Sequence, residues 1–232
     1  MAAVLNFVGA LAGTAVAKTV GKGIVNPDVI TIETVGVAAA AAAVWVLIAS
    51  RFGLPVSGSH SLIGGIIGAG IGFGGFDVLV ATGIRKTVLG LIFAPIAGIF
   101  GGFVIMTVLL WIVKDANPGK VNASFGRLQI ISAGFMAFSH GTNDAQKTMG
   151  IITLALYAGG RIDNFEVPLW VILASGITMA IGTAAGGRKV ITTLGRRIAL
   201  LRTINGFAAE SAAASVIEAA SRFGFPLSTT HT

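Results

Sequence analysis

Ala49-Ser-Arg-Phe-Gly-Leu-Pro-Val-Ser-Gly-Ser-His-Ser61 returns near the far end of the chain as Ala220-Ser-Arg-Phe-Gly-Phe-Pro-Leu-Ser-Thr-Thr-His-Thr232. At a fixed offset of 171, Ala49, Ser50, Arg51, Phe52, Gly53, Pro55, Ser57 and His60 recur as Ala220, Ser221, Arg222, Phe223, Gly224, Pro226, Ser228 and His231. Eight identities in 13 positions stand against roughly one expected from average residue usage. Ser59 and Ser61 become Thr230 and Thr232, so every hydroxyl keeps its place. A duplicated proline followed by hydroxyls and a histidine, set in an apolar chain, points to an internal repeat that builds a polar site inside a membrane.

Composition supports the membrane reading. Hydrophobic residues make up 54% of the chain and charged ones 11%, where soluble domains carry about 25% charged residues. Mean hydropathy is +0.89. The 33 glycines suit closely packed membrane helices. Cysteine is absent, so disulfides and thiolate metal sites are excluded. The net charge of +7 does not signal nucleic-acid binding, because the basic residues fall between the apolar runs, where loops collect them. The lipid bilayer is the expected surrounding.

Apolar stretches run near 2–17, 32–50, 62–76, 88–113, 128–138 with 148–158, 168–185 and 206–221. A span needs about 20 apolar residues, so 32–50 and 88–113 suffice and 168–185 is close. The stretch 62–76 is short, and 128–158 is interrupted by polar residues. Short or interrupted segments are the pattern of discontinuous, re-entrant helices meeting at a transport site. The expected fold class is therefore an all-α polytopic membrane protein with discontinuous, re-entrant helices. The polar turn 115–124, with Asn117-Pro118-Gly119, is the expected connecting loop. It divides 1–114, the C-terminal part of a first repeat half plus the spans that follow it, from 125–232, the N-terminal part of a second.

The repeat continues weakly upstream. Val16–Ile24 matches Val190–Ile198, and Gly13-Thr14-Ala15 matches Gly182-Thr183-Ala184. On this register the partner of the Asn143-Asp144 segment would lie before Met1, and that of 62–76 after Thr232. The sequence thus reads as part of a longer protein.

Three groups of residues carry the chemistry. In the first, Pro55 suits the opening position of a helix, and Ser57, Ser59 and Ser61 add hydroxyls beside the unpaired N–H groups of its first turn. The positive end of the helix dipole completes an anion site that needs no lysine. A single Ser-x-Ser is more often a plain cap. The second copy, with Ser228, Thr229 and Thr230, favours function, since two such starts can approach one tetrahedral oxyanion from opposite sides. His60 and His231 are candidates for a proton or hydrogen-bond role.

The second group is Ser139-His-Gly-Thr-Asn-Asp-Ala-Gln-Lys147. Such polarity is costly in hydrocarbon unless it lines a cavity or binds something; the bland alternative is a polar loop between two spans. Asn143 and Asp144 offer oxygens for Na⁺, or Asp144 serves as a protonatable carboxylate. Lys147 is either the ion partner of Asp144 or a charge at the membrane edge. The third group is acidic: Glu210 and Glu218 belong to an apolar run, and Glu210 is the better coupling-cation candidate.

Together, Ser139–Gly150, the Gly206-Phe-Ala-Ala-Glu-Ser211 run and the two Pro-x-Ser-x-x-His motifs resemble the inorganic phosphate transporter (PiT) family over nearly the whole chain. The resemblance implies an inverted-repeat secondary transporter, a phosphate carrier of two inverted repeats, each with an Asn-Asp signature and a hydroxyl-rich half-helix, driven by H⁺ or Na⁺. Asn143 and Asp144 match the second signature; the first is missing. Ser57, Ser59 and Ser61 would line one half-site and Ser228, Thr229 and Thr230 the other, with Asn143 also toward phosphate. Sulfate or another tetrahedral oxyanion is the alternative cargo on the same fold.

The expected function is cation symport of phosphate with alternating access, without a cofactor, in a multi-pass protein of the plasma membrane, a prokaryotic inner membrane. A homodimer is left open by the sequence. A channel is disfavoured by the two half-sites. A membrane enzyme is disfavoured because no nucleophile-and-base pair, nucleotide loop or metal-ligand cluster has recognisable spacing. Five basic residues from Arg188 to Arg202 suggest a cytoplasmic segment, which would put Lys18 and Lys22 outside.

Overall fold

The computed structural model describes residues 1–186, 192–193 and 202–232. The upstream repeat match at Val190–Ile198, apart from Thr192 and Thr193, and Arg188, Lys189, Arg196 and Arg197 of the basic segment lie outside the described residues.

Eight α-helices are described: α1 (Ala2–Ala10), α2 (Ala15–Gly23), α3 (Ile32–Phe52), α4 (Gly58–Gly74), α5 (Ala81–Val113), α6 (Pro118–Ala158), α7 (Leu169–Ala185) and α8 (Thr203–Arg222), with a 3-10 turn at Gly75–Val78. Among the described residues extended pairing is limited to one isolated antiparallel bridge, Val25 with Leu79. Three helical segments are long and apolar enough to cross a membrane, or four if the bent pair α1–α2 is one span. This is a helical membrane protein, as composition demanded.

Local signals set the helix ends. Thr31 caps α3 by accepting from the Thr34 N–H, and Gly53 ends it with φ 71°, a left-handed geometry that only glycine adopts freely. Asn117 accepts from the Gly119 N–H and Pro118 opens α6. The expected loop 115–124 therefore shortens to a turn, and residues 118–124 already belong to α6. The stretch 62–76 is also longer than its apolar part suggested: α4 with its 3-10 turn runs from Gly58 to Val78.

Two other expectations about breaks are corrected. The apolar stretch 2–17 is not one continuous helix: it is divided between α1 and α2, which meet at a 68° bend. The polar segment 139–147, expected to interrupt its span, is helical throughout and sits within the 41-residue α6. Beyond its first residue α6 contains no proline. A helix satisfies its own backbone, so polar side chains break nothing provided neighbouring helices give them partners. At 1.5 Å per residue α6 is about 60 Å long, and its middle is buried beneath α1, α2, α4, α7 and α8. The approach is close: a Cβ on Gly141 would meet the Asn6 backbone, and one on Gly9 the Phe138 carbonyl. Small residues here let two backbones touch.

Lys86 Nζ donates to the Phe223 carbonyl at 2.8 Å and lies 4.9 Å from the Phe225 ring centre, fixing α5 beside the end of α8. Most of α5 points outward. Ile99, Phe100, Phe103 and Trp111 are exposed, Trp111 at 79%. Trp45 and Trp170 are exposed too, in keeping with packing at a lipid interface.

Candidate functional site

The two copies of the repeated segment fold alike and touch. Gly53 and Gly224 have φ values of 71° and 69°. Leu54 N–H donates to the Ala49 carbonyl and Phe225 N–H to the Ala220 carbonyl, both at 2.9 Å. Ser61 donates its hydroxyl to the Ser57 carbonyl at 2.9 Å, and Thr232 to the Ser228 carbonyl at 3.0 Å. At the centre, equivalent residues pair: Ser57 and Ser228 are hydrogen-bonded through their hydroxyls at 2.8 Å, and the His60 and His231 rings lie 4.8 Å apart. The two turns were expected to face a common oxyanion from opposite sides. Here they close on one another instead: the Ser57 hydroxyl pairs with that of Ser228, and the Ser59 hydroxyl donates to the Leu227 carbonyl at 3.2 Å.

Ser57 also caps α4, accepting from the His60 N–H at 3.1 Å. His231 Nδ1 is 2.7 Å from the Ser228 hydroxyl. The imidazoles therefore border the serine pair.

Helical spacing puts His140, Asp144 and Lys147 on one stripe of α6. His140 Nε2 is 3.1 Å from Asp144 Oδ2, which also accepts from the Thr229 hydroxyl at 3.1 Å. Lys147 is 2% exposed, which settles its alternatives in favour of the ion partner. Its ammonium donates to Asp144 Oδ1 at 2.5 Å, the Ser59 hydroxyl at 2.6 Å and the Leu227 carbonyl at 2.6 Å. Ser59 comes from the first copy and Leu227 from the second, so one cation bridges both. Asn143 donates to the Ser221 hydroxyl at 2.8 Å, while its buried carbonyl oxygen accepts no hydrogen bond.

Two cavities adjoin the joined turns. One of about 370 Å³ is lined by Trp45, Pro55, Ser57, His60, Ser61 and His231. The other, of about 480 Å³, brings together Gly58, Ser59, Asp144, Lys147, Thr148 and Ser175 among apolar residues of α3, α4, α6 and α7. Both volumes suit a small ligand.

Of the residues singled out in the sequence, Ser57, Ser59, Ser61, His60, Ser228, Thr229, His231, Asn143 and Asp144 are gathered here. Thr230 follows on the same turn but is exposed. Glu210 stands apart. It accepts from the Ser132 hydroxyl at 2.5 Å, and the next contact of this kind between α6 and α8, Asn143 with Ser221, is 11 residues on in both helices, about 16 Å along the axis. Glu218 is paired with Arg222 at 3.0 Å.

Sequence reasoning missed the supporting shell. Gln146 accepts from the Val16 N–H at 2.8 Å, satisfying a backbone donor in the first turn of α2 that the break at 11–14 leaves open. Asn6 accepts from His140 Nδ1 at 2.8 Å and donates to Thr183 at 3.2 Å. Its signal was available: a lone amide in an otherwise apolar run.

A family model described as "Phosphate transporter family" matches residues 1–232. The chain is 42% identical over 234 residues to a "Probable low-affinity inorganic phosphate transporter" of Bacillus subtilis (strain 168), covering 100% of this chain and 70% of the relative. A protein of the same description from Rhizobium meliloti (strain 1021) is 38% identical over 233 residues, with the same shares covered. Among solved structures, "The sodium-dependent phosphate transporter" superposes with a TM-score of 0.86 at 24% identity, over 99% of this chain and 76% of that one. That likeness establishes the shared fold.

Proposed function

From the premise that the chain belongs to the phosphate transporter family, we propose that it carries inorganic phosphate across the plasma membrane by symport with a cation, H⁺ or Na⁺, in an alternating-access cycle. The observation that supports this reading best is the Ser57–Ser228 contact. Equivalent hydroxyls of two repeat copies meet face to face, so a small parting of α4 from the 226–232 turn exposes a set from each side. Ser57, Ser59 and Ser61 would then meet phosphate from one copy, and Ser228, Thr229 and Thr230 from the other. The two copies act in this reading as corresponding parts of inverted halves, each offering the cargo to one side in turn.

Hydroxyls and helix-start N–H groups bind an oxyanion without a salt bridge to it, which keeps affinity moderate and release possible. Asn143 and Asp144 form the cation-facing side, and a positive charge held there offsets the anion and makes the loaded site less costly to carry. Asn143 also bears on phosphate against sulfate. Its buried, unpartnered carbonyl oxygen can accept the O–H that phosphate keeps at neutral pH and sulfate lacks. A site built to pair such a donor discriminates strongly against the analogue without it. Glu210, about 16 Å along the helix, has no part in this scheme. His60 and His231 hold the serine turns.

The test is uptake of radiolabelled phosphate into proteoliposomes, with unlabelled phosphate or sulfate as competitor. Saturable, gradient-driven uptake suppressed by phosphate and spared by sulfate is expected, as is its loss in S57A/S228A. Uptake of sulfate instead, or undiminished phosphate uptake by the double variant, would remove the reading.

A further inference from the structure

Lys147 is among the largest fully buried side chains in the molecule, and it lies at the meeting point of the two repeat copies. An ammonium has three N–H donors and no acceptor. All three find oxygens of different kinds: a carboxylate, a hydroxyl and a backbone carbonyl, at 2.5 to 2.6 Å. These are the ligand types that hard metal cations take, and released carbonyls beside half-helices hold coupling ions in broken-helix transporters. Meanwhile the other Asp144 oxygen is engaged by His140 and Thr229, so neither oxygen of the carboxylate is unclaimed.

We infer that the Lys147 ammonium is the resident cation of the site, occupying the oxygen cage of Asp144, Ser59 and Leu227 in place of a bound Na⁺, so that transport by this chain runs without Na⁺. The assignment rests on the phosphate-symport reading for its role in transport and narrows it, leaving H⁺ as the coupling cation. Its structural part, occupancy of the cage, stands independently. A tethered cation cannot leave with the cargo. It offsets Asp144 permanently, bridges the two copies, and frees the Asp144 cage from any dependence on Na⁺ concentration.

The experiment compares wild type with K147A in matched concentrations of NaCl and choline chloride. Purified protein is followed by thermal unfolding, and proteoliposomes by phosphate uptake. Wild type should unfold at the same temperature in both salts and take up phosphate equally. K147A empties the cage and leaves Asp144 Oδ1 without the ammonium that it pairs with. Its uptake in choline chloride should fall at least about tenfold, and Na⁺ should restore part of it and raise the unfolding temperature saturably, as a ligand bound only to the folded state does.

Wild-type uptake that collapses in choline chloride would overturn the inference, as would a K147A protein whose stability does not distinguish Na⁺ from choline. K147N keeps a polar side chain and serves if K147A does not fold; the wild-type arm is decisive in either case. Should wild type carry no phosphate in any salt, the symport reading fails while the unfolding data still judge the cage.

Discussion

The two longest helices, α5 and α6, follow opposite rules, and the contrast explains how this molecule is organised. α5 is 33 residues of almost unbroken apolar sequence, and most of it faces outward. α6 is 41 residues with nine consecutive positions, 139–147, that are nearly all polar or glycine, and that part is buried. In water the order would be reversed. Lipid tails are as apolar as leucine, so burying α5 gains little, whereas the polar run of α6 is tolerable only where other helices supply partners. Between these two helices polarity, not hydrophobicity, marks the one that lies in the interior.

The largest effect that could break this contrast falls on Asp144. Replacing it by alanine leaves the buried Lys147 ammonium without its counter-charge, and losing one partner of such a pair costs about 3–5 kcal/mol. Thermal unfolding in detergent should show D144A far less stable than wild type. The pair D144A/K147M, which removes both charges, should recover much of the loss. If D144A were no worse than the double variant, the interior of α6 would not be held by charge pairing.

A charge placed on α5 should do comparable damage for the opposite reason. Phe100 is near the middle of α5 and exposed. Lysine there faces hydrocarbon without a partner, at about 2.5–3.5 kcal/mol on an insertion scale. The fraction of F100K chains inserted in the membrane should fall, while F100L should match wild type. The same residue type is therefore tolerated at 147 and rejected at 100, although 100 lies in the more apolar helix.

Glycines separate the helices at a smaller magnitude. G141V drives a side chain into the Asn6 backbone, an overpacking expected to cost about 1–3 kcal/mol. Gly102 on α5 has nothing within 4 Å of an added Cβ, so G102A should be neutral or slightly stabilising. Parallel unfolding curves of the two variants check the difference.

The contrast also explains what could be read from the sequence. α3, α5 and α7 were legible because a lipid-facing helix advertises itself by hydropathy alone. α6 was not: hydropathy treats Ser139–Lys147 as a place where the chain meets water, and cannot register that Ser59, Ser221, Leu227 and Thr229 wait to receive those side chains. The bend between α1 and α2 was missed for the converse reason, since Leu11–Thr14 is apolar enough to pass for continuous helix while Gln146 supplies the bond that lets it break. The candidate site was clearer than the helices around it. Serines at one fixed offset appear in the sequence as a repeat, and the pairing of Ser57 with Ser228 follows if repeat copies adjoin about a pseudo-two-fold axis. Glu210 was selected by charge and apolar neighbourhood, criteria that carry no distance, and it proved to lie three turns from the network it was expected to join.

The smallest predicted effect is also the sharpest on how the repeat and α6 divide the work. Ser57 does two things: it caps α4 through the His60 N–H and bonds Ser228. S57A should therefore cost about 0.5–2 kcal/mol, the range for losing a helix cap. Ser228 bonds Ser57 and neighbours His231 Nδ1, and S228A should cost less. A double-mutant cycle isolates the contact itself, expected at about 0.5–1.5 kcal/mol for one hydrogen bond. That is well below the Asp144 effect, as the proposed parting of this contact in each transport cycle requires. A coupling energy comparable to that of the Asp144–Lys147 pair would mean that the serine turns are a fixed brace, and the opening step would have to be sought elsewhere. A coupling near the low end, together with S57A and S228A each reducing phosphate uptake more than stability, fits a hinge of hydroxyls that open and close beside a cation that stays.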